Sequence, residues 1–514
     1  MNNLNSEEVI NNSMSDDFKK FCNSKYYIGS KNRLEDYCKQ IGNCDKKKCI
    51  ENKTDESMQK FKDRIRIELK NYLELNNISF LFGTGSSILL GAVSIRDIPN
   101  SIESGVETKG EVLYKLFLSL VKEYQKNETE KDCENGWGIK RDRNSILRWV
   151  ETKNGGGCEE WGDIAIPLED FINYLLGLEF VAGYSNLFID KCKTNENDKT
   201  ETDENDKYEI DRNLLKQLID CIKSELFKLC DLENDGPKYH EGLRYHKKFV
   251  KSLLGRPLNL RRANIFTTNY DLAFEDTFEE LGVHYINGFS GFNKRYFKPE
   301  VFDFDMYYPG NLTEGKVSRV EKVIKYFKLH GSLTWVHEDI NVNNIYGLRE
   351  LPIEQVRQKY ENGDPQRYEN KDLIESGVGN MIIYPTSYKK GYTLDFPYSE
   401  LFRQFASAIT QPQSVLFCVG YSFFDEHIND IIYQALSIPS FTLIIVDLKG
   451  NQKIDGLREL NDPRIIILEG EYLGDFKVFA DEIMPNFHEL SIEEKVSNTL
   501  RKIYSVKEGG DGDA

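Results

Sequence analysis

No apolar run in this chain reaches the roughly 20 residues that a membrane-spanning helix needs. The longest, SVLFCVG at 414–420 and FTLIIV at 441–446, are strand-sized. The opening MNNLNSEEVINNS is polar and acidic, so no secretory leader is expected in it. Cysteine is sparse, 10 in 514 residues. That excludes a disulfide-stapled scaffold and, without a leader, points to reduced thiols in a cytoplasm. Positive charge is in deficit: 67 Lys and Arg stand against 84 Asp and Glu, a net charge of −17. Phosphate contacts demand a cationic surface, so direct nucleic-acid binding is not expected. The 7 histidines form no HExxH or similar ligand spacing, and no metal is expected from them.

What is present is enough apolar residue, 39%, to bury a sizeable core. Residues 1–57 form a polar segment holding Cys22, Cys38, Cys44 and Cys49. Their spacings lack the paired Cys-x2-Cys knuckle of a zinc site, so ordinary thiols are the simpler reading. Met58 to Leu75 reads as an amphipathic helix, with Phe61, Ile65, Leu69 and Leu73 on one face. Buried strands follow at 78–82, 263–268, 326–330, 381–385, 414–420, 441–446 and 464–468, with helical or mixed stretches between them. This alternation predicts an α/β fold, a Rossmann-like and mostly parallel sheet covered on both faces. Residues 100–260 interrupt it with candidate helices at 111–126, 166–181, 211–230 and 240–254, which read as a helical insertion. Within the insertion, 193–208 is a charge-rich tract without apolar periodicity and reads as a surface loop. The expected organisation is therefore a polar segment (1–57), a first part of the sheet domain (58–99), the insertion (100–260), the remainder of the sheet domain (261–485), and a C-terminal helix and tail (486–514).

Ligands of parallel sheets bind beyond the C-terminal ends of the strands, so the residues just after each strand are the candidates. Gly83-Thr84-Gly85-Ser86-Ser87, followed by Gly91, leaves the first strand. Such a turn lets backbone approach a phosphate, or it simply carries a strand into a helix. Thr267-Thr268-Asn269-Tyr270-Asp271 follows the second strand and reads either as an active-site rim or as a helix cap. His330, in Lys328-Leu329-His330-Gly331-Ser332, is suited to proton transfer, although a lone His is more often structural. Gly420-Tyr421-Ser422 and Asp447 end two later strands. The glycine-serine turn could hold a ribose or phosphate; Asp447 could accept from ribose hydroxyls or merely form a turn before Lys449-Gly450.

The order of these motifs resembles the sirtuin-like family of NAD-consuming enzymes. Gly83, Gly85, Ser87, Gly91 and Arg96 match the family's Gly-Ala-Gly-Ile-Ser motif with its later Gly and Arg. Thr84 replaces the Ala, and Ser94 stands where the family has Asp. Thr267, Asn269 and Asp271 match Thr-Gln-Asn-Ile-Asp. His330-Gly331 matches the His-Gly pair, and Gly420 and Ser422 match Gly-Thr-Ser. The resemblance implies that Gly83, Thr84, Gly85 and Ser87 cradle phosphates and that Arg96 lies near the pyrophosphate or nicotinamide ribose. It further implies that Asn269 orients water and ribose, that Asp271 holds the carboxamide, and that His330 is the general base. Thr267 belongs to the same binding motif, and Gly420, Ser422 and Asp447 would contact the adenosine half.

The departures from the family are informative. No cysteine lies between His330 and Cys418, where protein-deacylating members carry four, and their Phe-Gly-Glu motif is missing. The pattern looks like the bacterial sirtuin-like proteins of anti-phage defence. That branch implies hydrolysis of NAD, as substrate, to nicotinamide and ADP-ribose, depleting the cell. It implies homo-oligomers, and in some members a HerA-type ATPase or another phage-sensing partner. The alternatives are an NAD-dependent protein deacylase and a non-catalytic module sensing NAD or ADP-ribose.

Overall fold

The computed structural model describes residues 16–41, 55–93, 98–129, 138–142, 145–152, 163–165, 168–184, 188–190, 207–209, 211–308, 318–361 and 396–485. The strand expected at 381–385, most of the tract 193–208, Cys44, Cys49, Ser94, Arg96 and the C-terminal segment from 486 lie outside them. The chain divides into two compact units. One comprises residues 1–91, 233–329 and 397–514; the other comprises 92–232 and 330–396.

The first unit is built on a nine-stranded sheet. In chain order its strands are β1 (Lys25–Ile28), β2 (Lys31–Asn32), β3 (Asn77–Phe82), β4 (Asn264–Thr267), β5 (His284–Ile286), β6 (Val323–Lys328), β7 (Ser414–Val419), β8 (Thr442–Asp447) and β9 (Ile465–Glu469). They lie in the order β5-β6-β4-β3-β7-β8-β9-β1-β2. All pairs from β5 to β9 are parallel, and β1 joins β9 antiparallel, with β2 as its hairpin partner. The expected mostly parallel α/β sheet is therefore present. Every strand expected within the described residues is found, with ends shifted by up to three residues. β1, β2 and β5 are additional: they are short, and β1 sits in the polar N-terminal segment where no apolar run announces it.

Both faces of the sheet are covered, as continuous apolar strands require. Alternate residues, Val415, Phe417 and Val419 of β7 and Phe80 and Phe82 of β3, face one cluster. Helix α1 (Asp16–Asn23) adds Phe18 and Phe21 and α2 (Arg33–Ile41) adds Leu34, and helix α3 (Asp55–Leu73) closes the cluster with Phe61, Ile65, Leu69 and Leu73, each at most 1% exposed. The helices α4 (Pro237–Leu254) and α5 (Ala273–Leu281) complete the same face with Phe249, Leu253, Phe274 and Phe278. On the opposite face Phe266 stacks on Phe327 at 4.5 Å and meets Phe405 of helix α6 (Tyr398–Ile409) edge-on at 4.9 Å. Helix α7 (Glu426–Leu436) packs beside α6.

From β3 the chain proceeds to β4, β5 and β6 on one side of the sheet, then to β7, β8 and β9 on the other. The direction reverses between β3 and β7, which is the topological switch point where α/β sheets hold ligands. The turn after β3 runs to the α4 face. That after β7 leads into α7 on the opposite face.

The second unit contains helices Ile98–Thr108, Glu111–Thr129, Leu168–Ala182 and Arg212–Cys230, matching the helical periodicity read at 111–126, 166–181 and 211–230. Leu215, Leu218, Ile219 and Ile222 form the buried stripe of the last of these. Asp211 caps its first turn by accepting from Asn213 N. Lys207–Glu209 pairs with Phe188–Asp190, so the end of the charge-rich tract is strand rather than loop. The unit also holds the hairpin Trp335–His337/Leu348–Glu350 and an Arg357–Asp231 pair with two bonds of 2.8 Å. No described helix is long and apolar enough to cross a membrane.

Candidate functional site

The turn after β3 and the turn after β7 touch at the switch point. Gly85 N donates to Gly420 O at 3.0 Å, and Gly83 N donates to Val419 O at 3.1 Å. A Cβ on Gly83 would stand 2.5 Å from Gly420 O, and one on Gly85 would stand 2.6 Å from Gly420 Cα. Gly420 itself has φ +61° and would meet Gly85 backbone at 2.7 Å. The three motif glycines are thus demanded by one another. Ser86 N and Ser87 N donate to Gly83 O and Thr84 O, so of the five amides between 83 and 87 two are spent inside the turn and two on the end of β7 and the turn after it. The helix expected here is instead two single 3-10 turns, Thr84–Ser86 and Ile88–Leu90, ended by Gly91 at φ +107°.

Across this turn lies the segment after β4. Thr267, at the end of β4, is buried and donates through Oγ1 to Phe82 O at 3.2 Å, while Thr268 N donates to the same oxygen at 3.0 Å. Asn269 N donates to Thr267 Oγ1 at 3.0 Å. The side chain of Asn269 then reaches the glycine turn: the two N–H groups of Nδ2 point to Gly83 O (3.1 Å) and Ser87 Oγ (3.0 Å), with Ser86 Oγ (3.3 Å) sharing one of them. A main-chain carbonyl can only accept, so the amide has one orientation. Its Oδ1 accepts from no described residue. Ser87 Oγ passes its own proton to Asp271 Oδ2 at 2.7 Å. Donation therefore runs in one direction, from Asn269 through Ser87 to a buried carboxylate. The other oxygen, Asp271 Oδ1, accepts from Ala273 N at 3.1 Å at the start of α5. The helix-start reading of this motif falls on Asp271, one residue before the N-cap Leu272, and not on Asn269.

The turn is fastened from below by Lys328, the last residue of β6. Its buried ammonium donates to Tyr270 O (3.0 Å), Asp271 O (2.5 Å) and Glu275 Oε1 (2.9 Å). Tyr326 OH donates to Glu275 Oε2 at 3.0 Å. Burial pushes the Glu275 carboxyl up, against the opposing pull of Lys328. In the sequence Lys328 enters only as the first residue of the His330 motif, and Glu275 does not enter at all. The buried setting of Lys328 follows only from the sheet order.

The remaining candidates are placed as follows. Ser422 O accepts from Asn451 Nδ2 at 2.8 Å. Asp447 ends β8 and accepts from Lys449 N at 3.1 Å and Gly450 N at 2.6 Å, which is the turn-forming alternative. Burial raises its carboxyl, and those two N–H groups oppose the rise. Thr84 is half-buried in the first turn. His330 lies two residues beyond β6, is 4% exposed, belongs to the second unit and precedes Gly331 at φ +94°. Arg96 lies outside the described residues. The structure thus gathers Gly83, Gly85, Ser87, Thr267, Asn269, Asp271 and Gly420 at the C-terminal ends of β3, β4 and β7.

This arrangement is a rigid amide with an available acceptor, set over a bed of hydroxyls and one carboxylate, at the place where parallel sheets bind ligands. Residues 263–465 match the SIR2-like domain family. The SIR2-like segment contains the strands β4 to β8 and the first residue of β9, together with Asn269, His330 and Gly420. It supports a sirtuin-like family and an NAD-related activity. The glycine turn at 83–87 lies outside the segment, and β3 inserts it between β4 and β7 of the same sheet. No curated protein matches the chain. Among the described residues no group of three or more His, Cys, Asp or Glu could hold a metal ion. Cys221 and Cys418 are buried free thiols.

Proposed function

We propose that this chain hydrolyses NAD to nicotinamide and ADP-ribose, and that it serves bacterial anti-phage immunity by depleting NAD once a partner or trigger activates it. The observation that carries the reading is the Asn269 side chain, held in one orientation by Gly83, Ser86 and Ser87 with Oδ1 left to accept. Breaking the nicotinamide–ribose bond develops positive charge at the ribose carbon, as in other glycosidic cleavages. Nicotinamide leaves as a neutral ring and needs no proton. The protein must place one water, hold the ribose and keep bulk solvent away.

Asn269 Oδ1 accepts from the attacking water or a ribose hydroxyl. Asp271 and Ser87 keep that amide aimed, and the carboxamide contact expected of Asp271 would draw on its remaining lone pairs. His330 takes the proton. Thr84 and Arg96 are assigned to the phosphates, and Ser422 and Asp447 to the adenosine half. The match to a SIR2-like domain and the chain order of the motifs support this reading. The missing cysteine quartet after His330 weighs against protein deacylation. Assembly into homo-oligomers, with or without an ATPase partner, belongs to the same proposal.

The test is chromatographic release of nicotinamide and ADP-ribose from NAD by the purified chain and by His330→Ala. A general base contributes about 10²–10⁴-fold, so the variant should lose at least two orders of magnitude. Turnover by His330→Ala near the wild-type rate would remove the histidine from the mechanism.

A further inference from the structure

Lys328 and Glu275 form a buried ion pair that the reaction above does not use. Such a pair is a poor source of stability, because desolvating two charges offsets their attraction and an apolar pair of equal volume does as well. Its geometry suggests another purpose. An ammonium has three N–H groups, and here they meet three acceptors: Tyr270 O, Asp271 O and Glu275 Oε1. Two of these are the carbonyls of the residues directly after Asn269. Glu275 is fixed in turn by Tyr326 OH, and it sits in the first turn of α5. The turn 268–272 lies between β4 and α5, and the bond from Thr268 N to Phe82 O ties its first residue to β3. Of its main-chain carbonyls, those of Tyr270 and Asp271 are held by this one side chain.

We propose that Lys328 is a positioning residue for the reaction of Asn269: its ammonium locks the turn 268–272 so that the Asn269 amide stays on Gly83 and Ser87. The proposal rests on the reading of the site as an NAD hydrolase. It explains why a lysine ends β6 where an apolar residue would pack, and it names β6 and α5 as the elements that hold Asn269 in place. A misplacement of about 1 Å costs on the order of 10²-fold in rate.

The test uses the full chain carrying Lys328→Met together with Glu275→Gln, which removes the ammonium without stranding a buried carboxylate. Two quantities are read. Amide hydrogen exchange of residues 268–273 should rise at least ten-fold while β4 and β6 keep their protection. The kcat for NAD should fall about 100-fold while KM changes less than about three-fold. Unchanged exchange in the turn overturns the proposal whatever the activity. An equal rise across β4, β6 and the turn also overturns it, since that reports general loss of stability. Selective loosening with full kcat overturns the link to the reaction. If the wild type neither binds nor cleaves NAD, the hydrolase reading fails, while the exchange result still decides whether Lys328 fixes the turn.

Discussion

Burial sets the proton affinity of His246. It is 0% exposed on α4, with its ring at 5.1 Å from Phe274 and 4.8 Å from Phe476. Desolvation pushes its pKa from 6.5 down to about 3, against a smaller opposing effect from a backbone hydrogen bond at Gly242. The folded pKa lies below the unfolded one, so the native state refuses a proton that the unfolded chain accepts. Stability is complete above pH 6.5 and declines as pH falls toward 3, by up to about 1.4 kcal/mol per pH unit from this group. Urea unfolding between pH 7 and pH 4 should show the wild type losing more stability than His246→Phe. Parallel curves for the two proteins would show that the histidine is not the acid-sensitive group. A sequence shows that Asn269 and Asp271 follow a strand, but not which of them spends its side chain on the helix. The answer depends on Ser87, 182 residues from Asn269, whose hydroxyl claims one oxygen of Asp271 and accepts from Asn269.

Among the elements, the glycine turn after β3 carries the most geometric constraint. The sequence pattern suggested backbone open to a phosphate. The structure instead uses Gly83, Gly85 and Gly420 to let two turns cross, and it spends most of their amides on the crossing. Gly420→Ala would therefore carry both a left-handed backbone and an overlap at 2.7 Å with Gly85. It should cost about 2–4 kcal/mol. Gly282→Ala has a similar φ, +62°, with nothing within 4 Å, and should cost only about 1 kcal/mol. Equal melting temperatures for the two variants would mean that the turns separate easily and do not brace the site. The strands themselves were legible because SVLFCV and IIIL are apolar on both faces, as buried parallel strands must be. KYYI at 25–28 was not legible, because its pairing with Ile466 to Glu469 is set by residues more than 400 positions away.

For the molecule as a whole, the order of the strands creates the site, and local pattern does not contain that order. Residues 77–91 and 263–271 are separated by the helical segments of the second unit, yet β3 lies between β4 and β7 and places Gly83 under Asn269. The family match begins at residue 263 and so omits the strand that completes the arrangement. The motifs could be read along the chain in order. The way Ser87, Asp271 and Lys328 hold Asn269 could not, because those contacts span long sequence separations. If the held amide directs water onto NAD, single-turnover cleavage by the wild type and by Asn269→Ala, at matched oligomeric state and with both melting temperatures recorded, separates the two proteins. The wild type should release nicotinamide and the variant should lose at least 100-fold, with NAD still bound and the melting temperature within a few degrees. Cleavage by Asn269→Ala at the wild-type rate would show that the amide does not direct the water.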